Sequence, residues 1–198
     1  MCIRDSFKET LERETPLRDL DLNPEELVAA RGYRFLTQKP VLVVLNVGDQ
    51  GSDDPADYVS YRHRRAEVIC LRGGLEMEIA QLDAEEAALF LAEYGIPEPG
   101  LHRMIRLSHS LLGLQSFFTV GEDEVRSWTV PVGATAVEAA GAIHSDLARG
   151  FIRAEVVSYD DLVAAGSLDA ARKQGTVRLQ GRDYVVKDGD ILNIRFNV

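Results

Sequence analysis

Cysteine is nearly absent: Cys2 and Cys70 are the only two in 198 residues. That is too few for a disulfide framework or a Cys-based metal site. Cys70 lies in the apolar run EVICL, where a buried, reduced thiol is expected. No apolar run approaches the roughly 20 residues that cross a bilayer, and the N-terminus lacks the charged, apolar and small-residue order of a signal peptide, so a cytoplasmic protein is expected, with no membrane partner. Positive charge is also short. With 22 Lys and Arg against 32 Asp and Glu, the net charge is -10, which argues against DNA as a partner and against an independent, counterion-driven grip on free RNA. The deficit is uneven, because residues 115–198 hold 9 of the basic and 12 of the acidic residues. A local basic patch there could still touch a ribonucleoprotein. The last absence is chemical. No Gly-x-x-x-x-Gly-Lys-Ser/Thr, no Gly-Lys pair and no Asp-x-x-Gly occurs, so nothing in this chain would cradle a triphosphate or follow its Mg²⁺.

What is present reads first as α/β and then as α+β. FKETLERE looks like the end of a charged helix. Asn23, Pro24 and Glu26 set a cap, a first-turn proline and a capping box for a helix to about Arg31. Val41–Val47 is an unbroken apolar strand of the kind covered on both faces, an interior strand of a parallel sheet. An acidic Gly/Pro loop follows, then a short helix over Tyr58–Arg65 and a second buried strand, Glu67–Leu71. Two helical pieces come next, the second capped by Asp83 with Glu86 at the box spacing. An amphipathic helix within 98–112 then places Leu101, Met104, Ile105, Ser108, Leu111 and Leu112 on one stripe. From Leu114 the pattern changes. Strands LQSFFTV and EVRSWTVPV precede one Thr135-capped helix ending at Gly150, the strand FIRAEVVSY, an irregular stretch, and strands TVRLQG, RDYVV and DILNIRFNV, the order of a β-grasp unit.

Several residue groups could carry chemistry. Asn46 and Asp49, in LNVGD at the end of the first strand, have the Asn-x-x-Asp spacing with which P-loop GTPases read a guanine, though Asn and Asp also favour strand-ending turns. Val47 stands where a GTPase has Lys. His144 and Asp146 sit two apart on one expected helix and so face different ways, which favours a structural histidine. KDGD, Lys187–Asp190, reads as a turn rather than a calcium loop. Trp128, Phe117 and Phe118 read as core rather than base-stacking residues. Arg172, Lys173, Arg178 and Arg182 form the best basic patch, a candidate contact for ribosomal RNA or protein.

From about Thr15 onward the chain resembles the C-terminal half of the YchF or Obg-like ATPase family of translation-factor P-loop GTPases. TQKPVLVVLNVGD resembles that family's base-reading strand, EVICLRGGLEMEIAQLDAEE its next strand and helix, and LLGLQSFFTVGEDEVRSWTVPVGATAVEAAGAIHSDLARGFIRAEVVSYDDLV with GTVRLQGRDYVVKDGDILNIRFNV its closing domain. The resemblance implies three segments: the end of an inserted helical region in 1–31, the C-terminal part of a P-loop α/β domain in 32–114, and a ubiquitin-like β-grasp TGS domain in 115–198. It implies nucleotide contact by Asn46, Val47 and Asp49, and from the other side of the base by the backbone at Cys70 and Leu71. The family's loop is Asn-Val/Leu-x-Glu, associated with ATP as well as or instead of GTP; Asp49 here is shorter than that Glu, and CLRGG replaces the usual Cys-Ala-Lys-Ile. For the intact protein the resemblance implies ATP or GTP hydrolysis with Mg²⁺, a ribosome partner met through the TGS domain, and a regulatory, redox- or stress-linked role. The phosphate loop would lie upstream, making this chain a fragment, inactive alone, that holds no cofactor by itself. MCIRDS resembles an adapter-derived leader and is set aside from these expectations. A stand-alone TGS-type module that binds RNA, nucleotide or protein without catalysis is the alternative.

Overall fold

The computed structural model describes residues 3–121 and 123–197; the expectation for Cys2 lies outside them. The chain divides into two compact units, Met1–Leu112 and Gly113–Val198.

In the first unit α1 spans Ile3–Glu12, so Ile3–Ser6, set aside above as foreign, continue the FKETLE helix. Its Phe7 packs with Leu17, Ala30 and Phe35, the two aromatic rings meeting edge-to-face at 5.7 Å. After a 3₁₀ turn, Leu17–Asp19, α2 runs over Pro24–Arg31 with the full Asn23–Glu26 capping box. Arg18 is buried in this unit, and its guanidinium donates to the carbonyls of Thr37 (3.1 Å) and Lys39 (3.0 Å) and to the Tyr61 hydroxyl (2.6 Å). Those bonds meet the desolvation cost of a buried cation.

Strand β1 (Val41–Asn46) pairs in parallel with β2 (Ala66–Leu71), from Val41↔Ala66 to Asn46↔Leu71. The interior-strand expectation needs correction: this sheet has two strands, and Val44 is 40% exposed. The apolar run is that of a strand with two neighbours, and one side of β1 has none among the described residues. The helix expected over Tyr58–Arg65 does not form either. A 3₁₀ turn at Pro55–Asp57 precedes it, and the segment is tied down without forming a helix where Asp19 accepts from Arg64 N–H (2.9 Å) and pairs with His63 Nδ1 (2.8 Å). Long-range anchors here override local propensity. Helices α3 (Gly73–Ile79), α4 (Ala84–Glu93) and α5 (Gly100–Leu112) complete the unit. Asp83 caps α4 by accepting from Glu85 and Glu86 N–H, without the return bond of a box. The α5 stripe is real in spacing but half uncovered, with Leu101, Ile105 and Leu112 more than half exposed.

The second unit is a five-stranded sheet in the order β4-β3-β7-β5-β6. Its strands are β3 (Leu114–Val120), β4 (Val125–Pro131), β5 (Phe151–Ser158), β6 (Arg178–Gln180) and β7 (Asp190–Phe196). Only the central pair, β3 with β7, is parallel. Helix α6 (Ala136–Ile143) covers one face. Its small Ala136, Ala139 and Ala140 let it approach Phe117, Val130, Val156 and Leu192, and Trp128 packs beside them while donating to Thr119 Oγ1 at 2.9 Å.

The single helix expected from Thr135 to Gly150 is broken. His144 leaves helical geometry and its Nδ1 accepts from Asp146 N–H at 3.2 Å, capping α7 (Ser145–Arg149). The expectation that His144 and Asp146 face different ways is corrected: with the helix broken, His144 acts as a cap and its Nδ1 lies 3.5 Å from the Asp146 carboxylate. The stretch after β5 is more regular than expected: α8 (Tyr159–Ala165) and α9 (Leu168–Gln174) are each opened by a serine cap and closed by a left-handed glycine, Gly166 or Gly175. They cover Val157 and Ile191 at one end of the sheet's second face. RDYVV forms no strand, only an isolated bridge between Val185 and Thr135. Its Tyr184 hydroxyl instead donates to buried Asp190 at 2.8 Å, and burial followed by that bond pushes the phenol up to about 12. KDGD is the turn expected, with Gly189 at φ 80.

Candidate functional site

The loops at the C-terminal ends of β1 and β2 bring most of the candidate base-loop residues to one corner, the usual ligand-facing edge of a parallel sheet. Asn46 ends β1, and its Oδ1 accepts from the Gly73 N–H at 3.1 Å, bracing the first residue of α3. Val47 extends the ladder by donating its N–H to the Leu71 carbonyl at 2.8 Å, leaving its side chain half-buried. Asp49 is exposed within a tight turn in which Gly51 N–H donates to Gly48 O. Asn46, Val47 and Asp49 therefore sit together beside Leu71 and the start of α3.

Cys70 is brought near only through its backbone. Its side chain is buried at 4% exposure, where burial and then the Asp53 carboxylate push the thiol up. It is not a nucleophile at neutral pH. Leu71 is the last residue of β2 rather than part of a free loop, and its carbonyl already serves Val47.

Three residues that sequence reasoning passed over shape this corner. Arg72 donates to Asp53 at 2.7 Å, tying the acidic loop to the β2 end, while its buried Nε has no partner. Gly73 lets the Asn46 amide approach the backbone, because a Cβ there would lie 2.6 Å from Asn46 Oδ1. A Cβ on Gly74 would come within 3.3 Å of Asp49 Oδ1. The signal was available: a Gly-Gly pair one residue after β2 marks a close approach to the backbone. The result is a fixed amide, an accessible carboxylate and bare backbone facing both, which suits a planar hydrogen-bonding ligand with adjacent donors.

The basic residues of the second unit do not form one uniform patch. Arg172 is bound to Glu155 (3.1 Å) and Asp169 (3.0 Å), so its charge is offset. Arg182 donates to the Phe151 carbonyl at 3.3 Å and lies over the Phe151 ring. Lys173 and Arg178 are exposed, on α9 and β6.

Over 203 residues the chain is 45% identical to the ribosome-binding ATPase YchF of Bacillus subtilis strain 168, covering 99% of this chain and 56% of that protein. The chain resembles the YchF proteins along nearly its whole length. Another ribosome-binding ATPase YchF, from Escherichia coli O157:H7, is 44% identical over 192 residues, covering 95% of this chain and 53% of the relative. Residues 114–197 match the YchF-GTPase_C family, described as a protein of unknown function (DUF933). Among solved structures, the YchF GTPase of Schizosaccharomyces pombe superposes with a TM-score of 0.83 at 28% identity, over 98% of this chain and 53% of that one. The chain thus spans about half the length of the YchF relatives it matches.

Proposed function

We propose that this chain is the C-terminal part of a ribosome-associated YchF-type ATPase or GTPase of the cytoplasm, in which Met1–Leu112 supplies the purine-reading corner and Gly113–Val198 is a TGS docking domain. The observation that carries the reading is the Asn46–Gly73 brace with exposed Asp49 beside Gly74. In that arrangement Asp49 accepts from the purine's N–H groups, Val47 offers an apolar face to the ring, and Asn46 holds the loop. Triphosphate and Mg²⁺ are held by residues outside this chain, where hydrolysis takes place. The uncovered side of β1 belongs to the rest of the sheet. For the second unit, support comes from the β4-β3-β7-β5-β6 order with its central parallel pair and helix α6 across one face, which is the arrangement of a ubiquitin-like β-grasp.

Two measurements test this. Base contacts without phosphate contacts leave little affinity, so calorimetry of the chain with Mg·ATP or Mg·GTP should show dissociation constants weaker than about 1 mM, or roughly 4 kcal/mol. Micromolar binding would overturn the division of labour. Genomic sequence upstream of codon 7 should carry an in-frame Gly-x-x-x-x-Gly-Lys-Ser/Thr, and a genuine start site at Phe7 would refute the reading.

A further inference from the structure

On the sheet face opposite α6, two arginines stand side by side. Arg153 of β5 and Arg195 of β7 are direct cross-strand partners, which sets their Cβ atoms about 5 Å apart, a placement that is destabilising for like charges. A local irregularity produces it. The β5–β7 register shifts between Phe151 and Arg153, so Phe151 enters the core under α6 while Arg153 joins the opposite face. Strict alternation would have put both on one side. Arg153 is exposed and has no carboxylate within salt-bridge distance among the described residues. Arg195, 59% exposed, is held from one side by Glu155. That carboxylate also binds Arg172 of α9 and accepts from Asn193. Three guanidiniums therefore converge on a face where Glu155 and Asp169 are the neighbouring carboxylates.

We infer that this open sheet face, centred on Arg153 and Arg195, is the surface of the second unit that grips the phosphodiester backbone of RNA. A phosphate between the two arginines relieves their repulsion and receives planar donor forks from both sides. Glu155 preorganises Arg195 and Arg172, so little side-chain freedom is lost on binding. Asn193, exposed on the same face, adds a polar side chain within reach. Trp128 is packed toward α6 rather than displayed here, so the contact is to backbone and independent of base sequence. The inference rests on the ribosome-docking reading of this unit and moves the contact from the Arg172–Arg182 segment to residues of β5 and β7.

The test is fluorescence anisotropy of a labelled oligouridylate against the full chain, from low salt (about 50 mM) upward, with co-sedimentation on bacterial ribosomes in parallel. The net charge of -10 makes binding weak and steeply salt-dependent. Arg153→Ala/Arg195→Ala should weaken RNA binding at least about fivefold at low salt and reduce the log–log salt slope by about 1.4, two single-strand phosphate contacts. Arg153→Ala alone removes no internal partner and should reduce the slope by about half that amount, while Arg153→Lys should preserve it. Lys173→Ala/Arg178→Ala should leave RNA affinity within about twofold. RNA binding in the wild type that neither arginine variant reduces, or no binding up to about 100 µM protein, overturns the inference. So does loss of ribosome co-sedimentation with RNA binding unchanged, which would mark an acidic protein as the partner. Arginine-dependent RNA binding without any ribosome association supports the inference while refuting ribosome docking.

Discussion

Glu155→Gln is expected to lower the melting temperature of the Gly113–Val198 unit by about 10 °C at neutral pH. The Glu155 side chain is only 10% exposed on β5 and is the shared anchor of Arg172 and Arg195. Burial alone would raise its pKa, but the hydrogen bonds and charges of the two arginines outweigh it, and the carboxyl sits below its ordinary value of 4.5. Removing one member of a fully buried pair costs roughly 3–5 kcal/mol. Here the arginines, 46% and 59% exposed, can turn to water, which reduces the figure to about 2 kcal/mol, or about 10 °C for a domain of this size. The pH dependence follows from the sign of the shift. A carboxylate with a depressed folded-state value stabilises fully above its unfolded value, and that stabilisation is lost as pH falls through the folded value. The gap between wild type and Glu155→Gln should therefore be widest near pH 7 and close below about pH 4. Scanning calorimetry at several pH values checks it; a gap that stays constant with pH would mean the variant acts through packing alone.

Much of the fold was legible because its signals are local. Asn23 with Glu26 and Thr135 with Glu138 are reciprocal boxes in the sequence and in the structure. Six of the seven strands extend over four or more of the residues that their apolar or β-branched runs marked. What escaped was decided at long range. Tyr61, His63 and Arg64 are tied by hydrogen bonds to Arg18 and Asp19, more than forty residues earlier, instead of forming a helix. His144 breaks a helix that composition would continue, and RDYVV spends its tyrosine on Asp190 instead of a ladder. Burial of β1 was overestimated because its apolar run reads as that of a strand with two neighbours, and among the described residues it pairs with one. At the candidate corner, Asn46, Val47 and Asp49 were readable from spacing. The Gly73-Gly74 pair was visible as a signal of close approach, but what it approaches, Asn46 and Asp49, appears only once the two strands are aligned in parallel. The Arg153–Arg195 pair depends on a register shift that no sequence spacing encodes.

Gly73→Ala should separate stability from function at that corner. The new Cβ would lie 2.6 Å from Asn46 Oδ1, so the amide must swing away and give up its bond from the Gly73 N–H. The displaced group is the end of an exposed side chain, and the lost hydrogen bond costs about 1 kcal/mol. Alanine returns part of that through helix propensity, so the melting temperature should fall by only a few degrees. The Asn46–Asp49 loop, however, loses its tie to α3. On the proposed reading, in which the reacting phosphates are held elsewhere, the nucleotide KM of a full-length protein carrying this segment should rise about tenfold, roughly 1.4 kcal/mol, with kcat little changed. Asn46→Ala should reproduce the effect by removing the same bond from the other side. Gly74→Ala should give a smaller one, since its Cβ meets Asp49 Oδ1 at 3.3 Å, a distance a small shift relieves. Steady-state kinetics alongside thermal melts would decide the matter: a KM unchanged in both Gly73→Ala and Asn46→Ala would remove this corner from nucleotide recognition, whereas a matched rise with intact folding would assign the brace to it.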